Sequence, residues 1–279
     1  MMDKTALKIK MQYENMGKAE KRVADWIMEN RSDILPLSIT ELAEKSECSE
    51  ATIVRFAKRL GFSGYQELKI SIARESSNSI INANMSASDT AFEIYEKVCN
   101  DIYCSLERTK KILDGSSLQI AAEKIMSANK IIVMGLGNSS AVALDASHKF
   151  LRAGFNSFAY TDNHMQMIAC SHLAVGDVAI GISHSGSSKD VIEALQIAKE
   201  NGATTICITN EGKSPIVKYS DIVLNTSSEE TEYTILALNS RIAQLSIVDA
   251  LYFYMVYQQS GKTLESIKQT EISLRTKKY

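Results

Sequence analysis

Prolines, long apolar runs and export signals are what this sequence has least of. Only two prolines occur in 279 residues, so long disordered linkers are not expected. No apolar stretch reaches the roughly 18 residues that suggest a transmembrane helix, and the N-terminal stretch lacks the apolar centre of a secretory signal. These absences argue against a secreted or membrane-spanning protein and predict a cytoplasmic one.

Cysteine and histidine are scarce as well. The five cysteines are an odd number and show no C-x-x-C spacing, so we expect reduced thiols rather than a disulfide framework. The four histidines have no spacing typical of a zinc site. No metal or other cofactor is therefore expected.

The net charge of −2 argues neither for nor against a nucleic-acid partner, but the cations are unevenly distributed. Residues 51–74 carry Arg55, Lys58, Arg59, Lys69 and Arg74 against Glu67 alone. A local basic patch of this kind is compatible with docking on a phosphate backbone. It is also compatible with an ordinary solvated helix face, and charge alone favours that second interpretation.

Residues 1–75 contain helical patterns only. Ser38 and Glu41 form a capping-box pattern, which predicts that a helix begins near residue 38. Ser49 is placed to cap a following helix that Gly61 ends. A helix over residues 18–30 is predicted upstream, and Pro36 marks a break after it.

From residue 130 onward short apolar runs alternate with amphipathic stretches of helical period. The runs cover residues 130–135, 157–160, 177–183, 204–209 and 221–225. Strands rich in Ile and Val that alternate with helices indicate a parallel sheet covered on both faces. Residues 93–127 are also helical in pattern, in two stretches that the sequence "DG" separates, and a long final helix is expected at about 231–257.

The predicted architecture therefore has two domains. An all-α helix-turn-helix domain (residues 1–76) is followed by a linker rich in Ser, Asn and Ala (residues 77–92). The remainder (residues 93–279) is predicted to be an α/β doubly wound parallel-sheet domain, an αβα sandwich.

The two short helices near residues 38–60 suggest a helix-turn-helix, because the second is basic and follows a tight turn. A helical wheel groups Ser49, Ile53, Phe56 and Leu60 on one packing face, with Ala57 beside them. Ala51, Arg55 and Lys58 lie opposite, flanked by Thr52 and Arg59. A recognition helix needs this division, since one stripe must pack while Arg and small polar residues face the major groove. An αα-hairpin in a bundle is the alternative that the wheel leaves open.

The loop "SHSGSSKD" (residues 183–190) places four serines and a histidine between an apolar strand and a helix. Ligands of open α/β sheets bind beyond the carboxyl ends of strands, and a helix N-terminus there suits an anion. Serine hydroxyls add donors without adding charge, and Gly186 allows the backbone to approach closely. The loop thus has the chemistry of a phosphate site. A capped helix start is the alternative for such a loop taken alone, and a local hydrogen bond is the favoured role for His184.

A second loop, "GLGNSS" (residues 135–140), follows the first predicted strand. A dinucleotide-binding fingerprint would require a third glycine where Ser140 stands and an acidic residue about 20 residues later, so no such cofactor is expected. Two hydroxyl-rich strand ends in one sheet favour a ligand. Asp162 and His164 after the second strand could form an acid–base pair, but a structural role is as well supported.

The N-terminal stretch "SITELAEKSECSEATIVRFAKRLGFSGYQELK" resembles the helix-turn-helix domain of RpiR-family bacterial transcriptional regulators. The residues that carry the resemblance are Leu42, Ala43, Ser49, Ala51, Thr52, Arg55, Phe56, Leu60, Gly61, Phe62, Gly64, Tyr65, Leu68 and Lys69. The resemblance implies that the helix binds DNA through Ser49, Thr52, Arg55, Lys58 and Arg59. Tyr65 is a further candidate, for a contact to the DNA backbone.

The second half resembles the SIS sugar-phosphate-binding domain, because "ISHSGSSKDVIEAL" matches the S-x-S-G-x-S/T signature of that fold. The resemblance implies that Ser183, His184, Ser185 and Ser188 hold a phosphate and that Gly137, Asn138 and Ser139 line the sugar or phosphate edge. One departure is Ser187, which stands where this family often has Glu and which bears on ligand preference.

Together these observations predict a transcriptional regulator that binds operator DNA as a dimer or tetramer and responds to a phosphorylated sugar. The long helices near residues 93–127 and 231–257 are candidate interfaces. The first alternative is a sugar-phosphate isomerase, for which Glu229, Glu230, Glu232 or His184 would have to supply the base. The second is a phosphosugar sensor whose helix face at residues 51–59 binds a protein.

Overall fold

The computed structural model describes residues 4–31, 33–34, 37–76, 85–86, 88–228 and 238–275. These residues divide into an N-terminal unit, chiefly residues up to Asp101, and a C-terminal unit that begins at Ile102. Pro36 and most of the predicted linker, residues 77–84 and 87, lie outside the described residues.

The N-terminal unit is helical, as the sequence predicts. Its helices are α1 (Lys4–Gln12), α2 (Lys18–Glu29), α3 (Ile39–Lys45), α4 (Glu50–Arg59) and α5 (Tyr65–Ser76), with a 3-10 turn at Tyr13–Asn15. They enclose one core, in which Val23 of α2, Leu42 of α3, Phe56 of α4 and Leu68 of α5 are fully buried. Burial of such side chains is the main force that holds short helices of this kind together.

The ends of α3 and α4 form where the sequence places them. The Ser38 hydroxyl accepts a hydrogen bond from Glu41 N, and the Glu41 carboxylate accepts one from Ser38 N, which completes the predicted capping box. Ser49 caps α4 by accepting from Thr52 N. Gly61 ends the helix with a φ of +85°, a conformation that glycine adopts without a steric penalty.

Arg22 fixes the turn between α3 and α4. Its Nε donates to the carbonyl of Ser46 at 3.3 Å and its Nη2 to that of Glu47 at 2.5 Å. These carbonyls lie at the C-terminal end of α3, where the helix leaves them without partners of its own. Glu47 has a φ of +50°, so the bonds from Arg22 hold a backbone conformation that non-glycine residues rarely adopt.

The C-terminal unit contains a five-stranded parallel sheet. Its strands are β1 (Ile131–Gly135), β2 (Ser157–Tyr160), β3 (Val178–Ile182), β4 (Thr204–Asn210) and β5 (Ile222–Thr226). The order across the sheet is β2-β1-β3-β4-β5, and every neighbouring pair is parallel. The predicted doubly wound sheet is confirmed, and each strand lies within one residue of its predicted limits.

Helices cover both faces of this sheet. The helices after α5 are α6 (Ala91–Ile112), which begins in the N-terminal unit, α7 (Gly115–Ser127), α8 (Asn138–Arg152), α9 (Asn163–Ser171), α10 (Lys189–Glu200), α11 (Leu238–Gln258) and α12 (Ser260–Leu274), with a 3-10 helix at Pro215–Tyr219. Of these, α7 to α11 pack against the strands. Ile131 and Val133 of β1 share a core with α7, α8 and α11. Ile132 and Met134 share another with α9 and α10. The side-chain alternation of a strand thus builds the two layers of an αβα sandwich.

One of the two remaining helix predictions needs correction. The two helical stretches predicted at 93–127 form α6 and α7, and α7 starts where the Asp114 side chain accepts from Ser117 N. The predicted final helix corresponds to α11, although residues 231–237 of the prediction lie outside the described residues. It is not the last helix, since α12 follows it and contacts both α8 and α11.

Among the helices of the described residues, none combines the length and the apolar composition that a transmembrane helix requires.

The five cysteines are free thiols, and two of them, Cys170 and Cys207, are buried. Burial raises the pKa of the Cys170 thiol to about 12 and that of the Cys207 thiol to about 11, although a hydrogen bond with Ser220 opposes the rise at Cys207. Cys99 and Cys104 are exposed.

We therefore expect two of the five thiols to be protected from an aromatic disulfide reagent at pH 8 in the native protein. The thiolate is the reactive form, and burial both disfavours it and blocks access. Peptide mass mapping after timed labelling would identify the protected thiols as Cys170 and Cys207, and denaturation should release them. Equal labelling rates at all five sites in the native protein would contradict the buried assignments.

Candidate functional site

Helix α4 has the two faces that the wheel predicts. Ile53, Phe56 and Ala57 are fully buried against the other helices of the N-terminal unit. Arg55 and Lys58 are exposed on the opposite side. The helix therefore presents its cations to solvent while its apolar stripe fixes its orientation.

Two candidate DNA-binding residues, Ser49 and Thr52, do not lie where the helical wheel places them. Ser49 is exposed rather than packed, because it is the N-cap and lies outside the helical rotation that a wheel assumes. Thr52 is 3% exposed. Its hydroxyl lies 2.9 Å from the Ser49 hydroxyl and accepts from Arg55 Nη2 at 3.3 Å. Thr52 thus orients Arg55 instead of facing outward itself.

Arg59 is tied to α2. Its Nε lies 3.1 Å from Glu20 Oε1, and Glu20 Oε2 accepts from Gly17 N, the residue that precedes α2. Burial of the Glu20 carboxyl raises its pKa, but the hydrogen bonds from Arg59 and Gly17 and the charges of Arg59 and Arg55 outweigh this, so that its pKa lies below its usual value. Glu20 is therefore ionised at neutral pH and links the two helices.

The position of Tyr65 does not fit a contact to a DNA backbone. The residue is 4% exposed, and its hydroxyl donates to the carbonyl of Leu37 at 2.9 Å. Lys69 Nζ donates to the same carbonyl at 3.1 Å. Both side chains hold α5 against the segment before α3, so the Tyr65 hydroxyl is engaged within the protein.

The serine loop leaves the central strand β3 and enters α10. The hydroxyls of Ser183 and Ser188 lie 3.0 Å apart, which closes the loop on itself. Ser185 Oγ accepts from Ser187 N at 3.3 Å. Gly186 has a φ of +58°, and its carbonyl accepts from Ile216 N at 3.0 Å. These bonds fix the loop backbone, while Ser185 and Ser188 remain partly exposed.

The loop after β1 lies beside the serine loop. In the sheet register Gly135, the last residue of β1, is the partner of Ile182, the last residue of β3. A Cβ on Gly135 would lie 2.5 Å from the carbonyl oxygen of Ser139, so only glycine fits this close turn. Gly137 has a φ of +56° and is exposed with Asn138. The two predicted loops therefore lie side by side at the carboxyl ends of the neighbouring strands β1 and β3. This is the point at which the strand order reverses.

The helices that follow these loops begin differently from most others. Side chains of Ser38, Ser49, Asp114 and Asp162 each accept a backbone N–H at the start of α3, α4, α7 and α9. In the described chain no side-chain cap bond is formed at the start of α8, after Gly137, or of α10, after Ser188. The hydroxyl of Ser188 is directed to Ser183 instead. At the start of α8, Ser139 N and Ser140 N donate to the carbonyls of Leu136 and Gly137. The first N–H groups of α10, which have no partner within the helix, face the serine loop.

Other candidates have structural positions. The Asp162 side chain accepts from Met165 N and caps α9, which is the structural role considered for it above, as the alternative to an acid–base pair with His164. Lys189 is exposed and lies 3.4 Å from Glu193, so it faces solvent rather than the loop. The backbone carbonyl of His184 accepts from Asn210 N and from Thr209 Oγ1, and its side chain is half-buried. Glu229, Glu230 and Glu232 lie outside the described residues.

Gln166 supports the site and was missed by sequence reasoning. It is fully buried, and its Nε2 donates to the carbonyls of Gly135 at 3.3 Å and Tyr160 at 2.9 Å. The side chain therefore ties α9 to the carboxyl ends of β1 and β2. The sequence alone does not distinguish a buried glutamine that bonds two strand ends from any other polar residue of an amphipathic helix, because the strand order is needed to know which carbonyls lie near it.

Comparison with protein families gives a match for each part of the chain. A family model described as a helix-turn-helix domain of the rpiR family matches residues 4–79. A model described as a SIS domain matches residues 124–254. The first match contains α3 and α4, and the second contains all five strands with both loops.

Whole-chain comparisons agree with these matches. An uncharacterised HTH-type transcriptional regulator of Caldanaerobacter subterraneus is 37% identical over 93% of both chains. The HTH-type transcriptional regulator RpiR of Escherichia coli is 32% identical over 88% of this chain and 83% of its own. Among solved structures, Vibrio vulnificus NanR complexed with ManNAc-6P superposes with a TM-score of 0.81 at 27% identity, covering 98% of this chain and 99% of that one.

Proposed function

The chain belongs to the rpiR family of helix-turn-helix transcriptional regulators, and from this premise we propose that it binds operator DNA through α4 under the control of a phosphorylated sugar. The sugar phosphate binds at the two loops after β1 and β3. By analogy with its bacterial relatives, the protein acts in the cytoplasm.

The start of α10 is the observation that carries the phosphate proposal. Ser188 bonds to Ser183 and leaves the helix N-terminus open, where N–H groups and the helix dipole attract an anion. Ser183, Ser185 and Ser188 then supply hydroxyl donors, with His184 beside them, and the neighbouring Gly137, Asn138 and Ser139 line the sugar edge. These hydroxyl and N–H donors are uncharged, so they can bind a phosphate dianion reversibly without forming an ion pair with it.

The exposed face of α4 carries the DNA proposal. Arg55 is placed to donate to the O6 and N7 acceptors of a guanine in the major groove, and Lys58 and Arg59 to contact phosphates. Ser49 lies at the start of the helix, the end that reaches base edges in this motif, and Thr52 supports Arg55 from behind.

One recognition helix reads few base pairs, so we propose that the protein acts as a homodimer or higher oligomer on a pseudo-palindromic site. Exposed aromatic residues lie on α6, where Phe92, Tyr95 and Tyr103 are more than half exposed, and on α11 at Phe253 and Tyr257. Light scattering on the eluting protein, with and without DNA, tests this. A monomer under every condition would contradict it.

The protein is proposed to act without catalysis. SIS-type sheets also occur in isomerases, but likeness of fold does not assign an activity, and an isomerase has no use for a basic recognition helix. Incubation with aldose and ketose phosphates, followed by product analysis, should show no interconversion above the protein-free rate. Turnover would instead support the isomerase alternative.

A thermal-shift screen against sugar phosphates tests the proposed effector class. ManNAc-6P belongs in the panel because NanR was crystallised with it, and each parent sugar serves as the unphosphorylated control. A ligand present at 100 times its dissociation constant stabilises the folded state by about 2.7 kcal/mol. Stabilisation by the phosphorylated forms alone is the expected result. Equal stabilisation by parent sugars would contradict a phosphate site.

Replacing Thr52 with valine is expected to weaken specific DNA binding about fivefold while leaving binding to random duplexes unchanged. Valine keeps the buried shape but removes the hydroxyl that holds Arg55, a loss worth about 1 kcal/mol. Fluorescence anisotropy with selected and random duplexes measures both affinities. Thr52→Ser, which retains the hydroxyl, should restore binding, and an equal loss on both duplexes would contradict a role through Arg55.

A further inference from the structure

A groove in the N-terminal unit runs between the start of α2 and the flank of α4. It has a volume of about 690 Å³ and is lined by Gly17, Lys18, Ala19, Glu20, Thr52, Arg55, Lys58 and Arg59. Four of these eight residues are cations and one is a carboxylate. A groove with this lining favours an anionic partner, and it is continuous with the exposed face of α4 through Arg55 and Lys58.

The single carboxylate does not neutralise the groove. Glu20 is 8% exposed, and both of its oxygens are occupied, one by Arg59 and the other by Gly17 N. The Glu20 carboxylate therefore interacts with groups that join α2 and α4 and is little exposed to the groove. Lys18 is exposed at the first position of α2, and Lys58 is exposed on the other side, so that both ammonium groups can reach an anion in the groove.

The start of α2 adds backbone donors to these cations. Gly17 is the N-cap and has no side chain to bond the first N–H groups of the helix. Those groups have no partner within the helix and carry the positive end of its dipole. Donors and cations therefore converge on the groove from two separate helices.

We propose that this groove seats a phosphate of the DNA backbone, and that Lys18 is a DNA-contacting residue in addition to those of α4. The inference rests on the proposed DNA-binding function. Duplex DNA is the fitting partner because the groove adjoins the helix face that enters the major groove. A groove lined mainly by cations matches the phosphate backbone that flanks a major groove. The contact is independent of base sequence and anchors α2 while α4 reads the bases.

The test compares the salt dependence of DNA binding between the wild type and Lys18→Ala. The probes are a duplex selected by the protein from a random library and a random duplex of the same length. Each phosphate contact contributes about 0.9 to the slope of log affinity against log salt concentration. For each N-terminal unit that contacts the DNA, Lys18→Ala should lower the slope by about one and weaken binding to both duplexes about 5- to 10-fold at ~0.1 M salt. The ratio of the two affinities should stay unchanged.

Lys21→Ala is the matched control. Lys21 lies on the same helix but does not line the groove; it contacts Tyr13 and Glu14 instead. Its removal should leave the slope within about 0.3 of the wild type, whereas Lys18→Arg should restore the slope lost in Lys18→Ala. Circular dichroism confirms that each variant is folded.

The outcomes separate this inference from the function on which it rests. Wild-type protein that binds neither duplex would overturn both. Wild-type protein that binds, with equal salt slopes for wild type and Lys18→Ala, would overturn the groove assignment alone. A Lys18→Ala variant that loses discrimination between the two duplexes would also overturn it, because a backbone contact carries no sequence information.

Discussion

Arg55→Ala should weaken binding to a selected duplex by roughly 5- to 150-fold for each recognition helix. A bidentate contact from Arg to guanine contributes about 1–3 kcal/mol of discrimination, and Arg55 is the exposed cation on the central turn of α4 that another side chain orients. In a dimer both half-sites lose the contact, so the two losses combine. Binding to random duplexes should fall much less, because one cation among several is removed there.

The control for Arg55→Ala is Lys124→Ala, which removes the same charge from an exposed position on α7. It should leave both DNA affinities and the sugar-phosphate response unchanged. If Arg55→Ala binds the selected duplex as tightly as wild type, Arg55 does not read a base. If the selected and random duplexes are weakened equally, it contacts only the backbone.

Ser185→Glu should abolish sugar-phosphate binding, with a loss of more than about 100-fold in affinity. The substitution places a carboxylate among the donors proposed to hold the phosphate, and two like charges about 4 Å apart repel by about 4 kcal/mol at the effective dielectric of a protein surface. Ser185 is partly exposed and its main role within the loop is to accept from Ser187 N, so the fold should tolerate the change. Isothermal titration with the best ligand of the screen measures the loss.

Ser116→Glu provides the comparison for Ser185→Glu. Ser116 is exposed in the first turn of α7, where a carboxylate is favourable to the helix. It adds the same charge to the C-terminal unit and should bind the sugar phosphate like wild type. Retained affinity in Ser185→Glu would place the phosphate elsewhere. Loss of affinity in both variants would point to a general electrostatic effect rather than to the serine loop.

Local chemistry made much of the fold predictable. Ser38 with Glu41, Ser49 and Gly61 each act within four residues of the chain, so their patterns predicted the limits of α3 and α4. The strands were predictable for a similar reason, because a strand buried on both faces is a short continuous apolar run. Strand order depends on long-range packing and was not predicted.

The arrangement of the candidate site residues was not predictable in full from the sequence. The wheel placed Ser49 on the packing face and Thr52 on a flank, whereas the first is an exposed cap and the second is buried beneath Arg55. Tyr65 was expected to be accessible, but its hydroxyl finds a carbonyl of a residue 28 positions away. Contacts of this kind join residues that only the tertiary fold brings together, and the same holds for Gln166 and the end of β1.

Regulation requires that the sugar phosphate bind two arrangements of the protein with different affinities. A ligand that binds both arrangements equally shifts nothing, however tightly it binds. Coupling free energies between sites are typically about 1–3 kcal/mol, which corresponds to roughly 5- to 150-fold in affinity. By reciprocity, operator DNA must change the affinity for the sugar phosphate by the same factor.

The most direct measurement is the dissociation constant for the selected duplex, determined by fluorescence anisotropy with and without a saturating sugar phosphate from the screen. The account predicts a change of about fivefold or more. The change should be absent with the parent sugar and absent in Ser185→Glu. Equal dissociation constants at saturating sugar phosphate, with ligand binding verified in the same sample, would contradict the central claim that the two units are coupled.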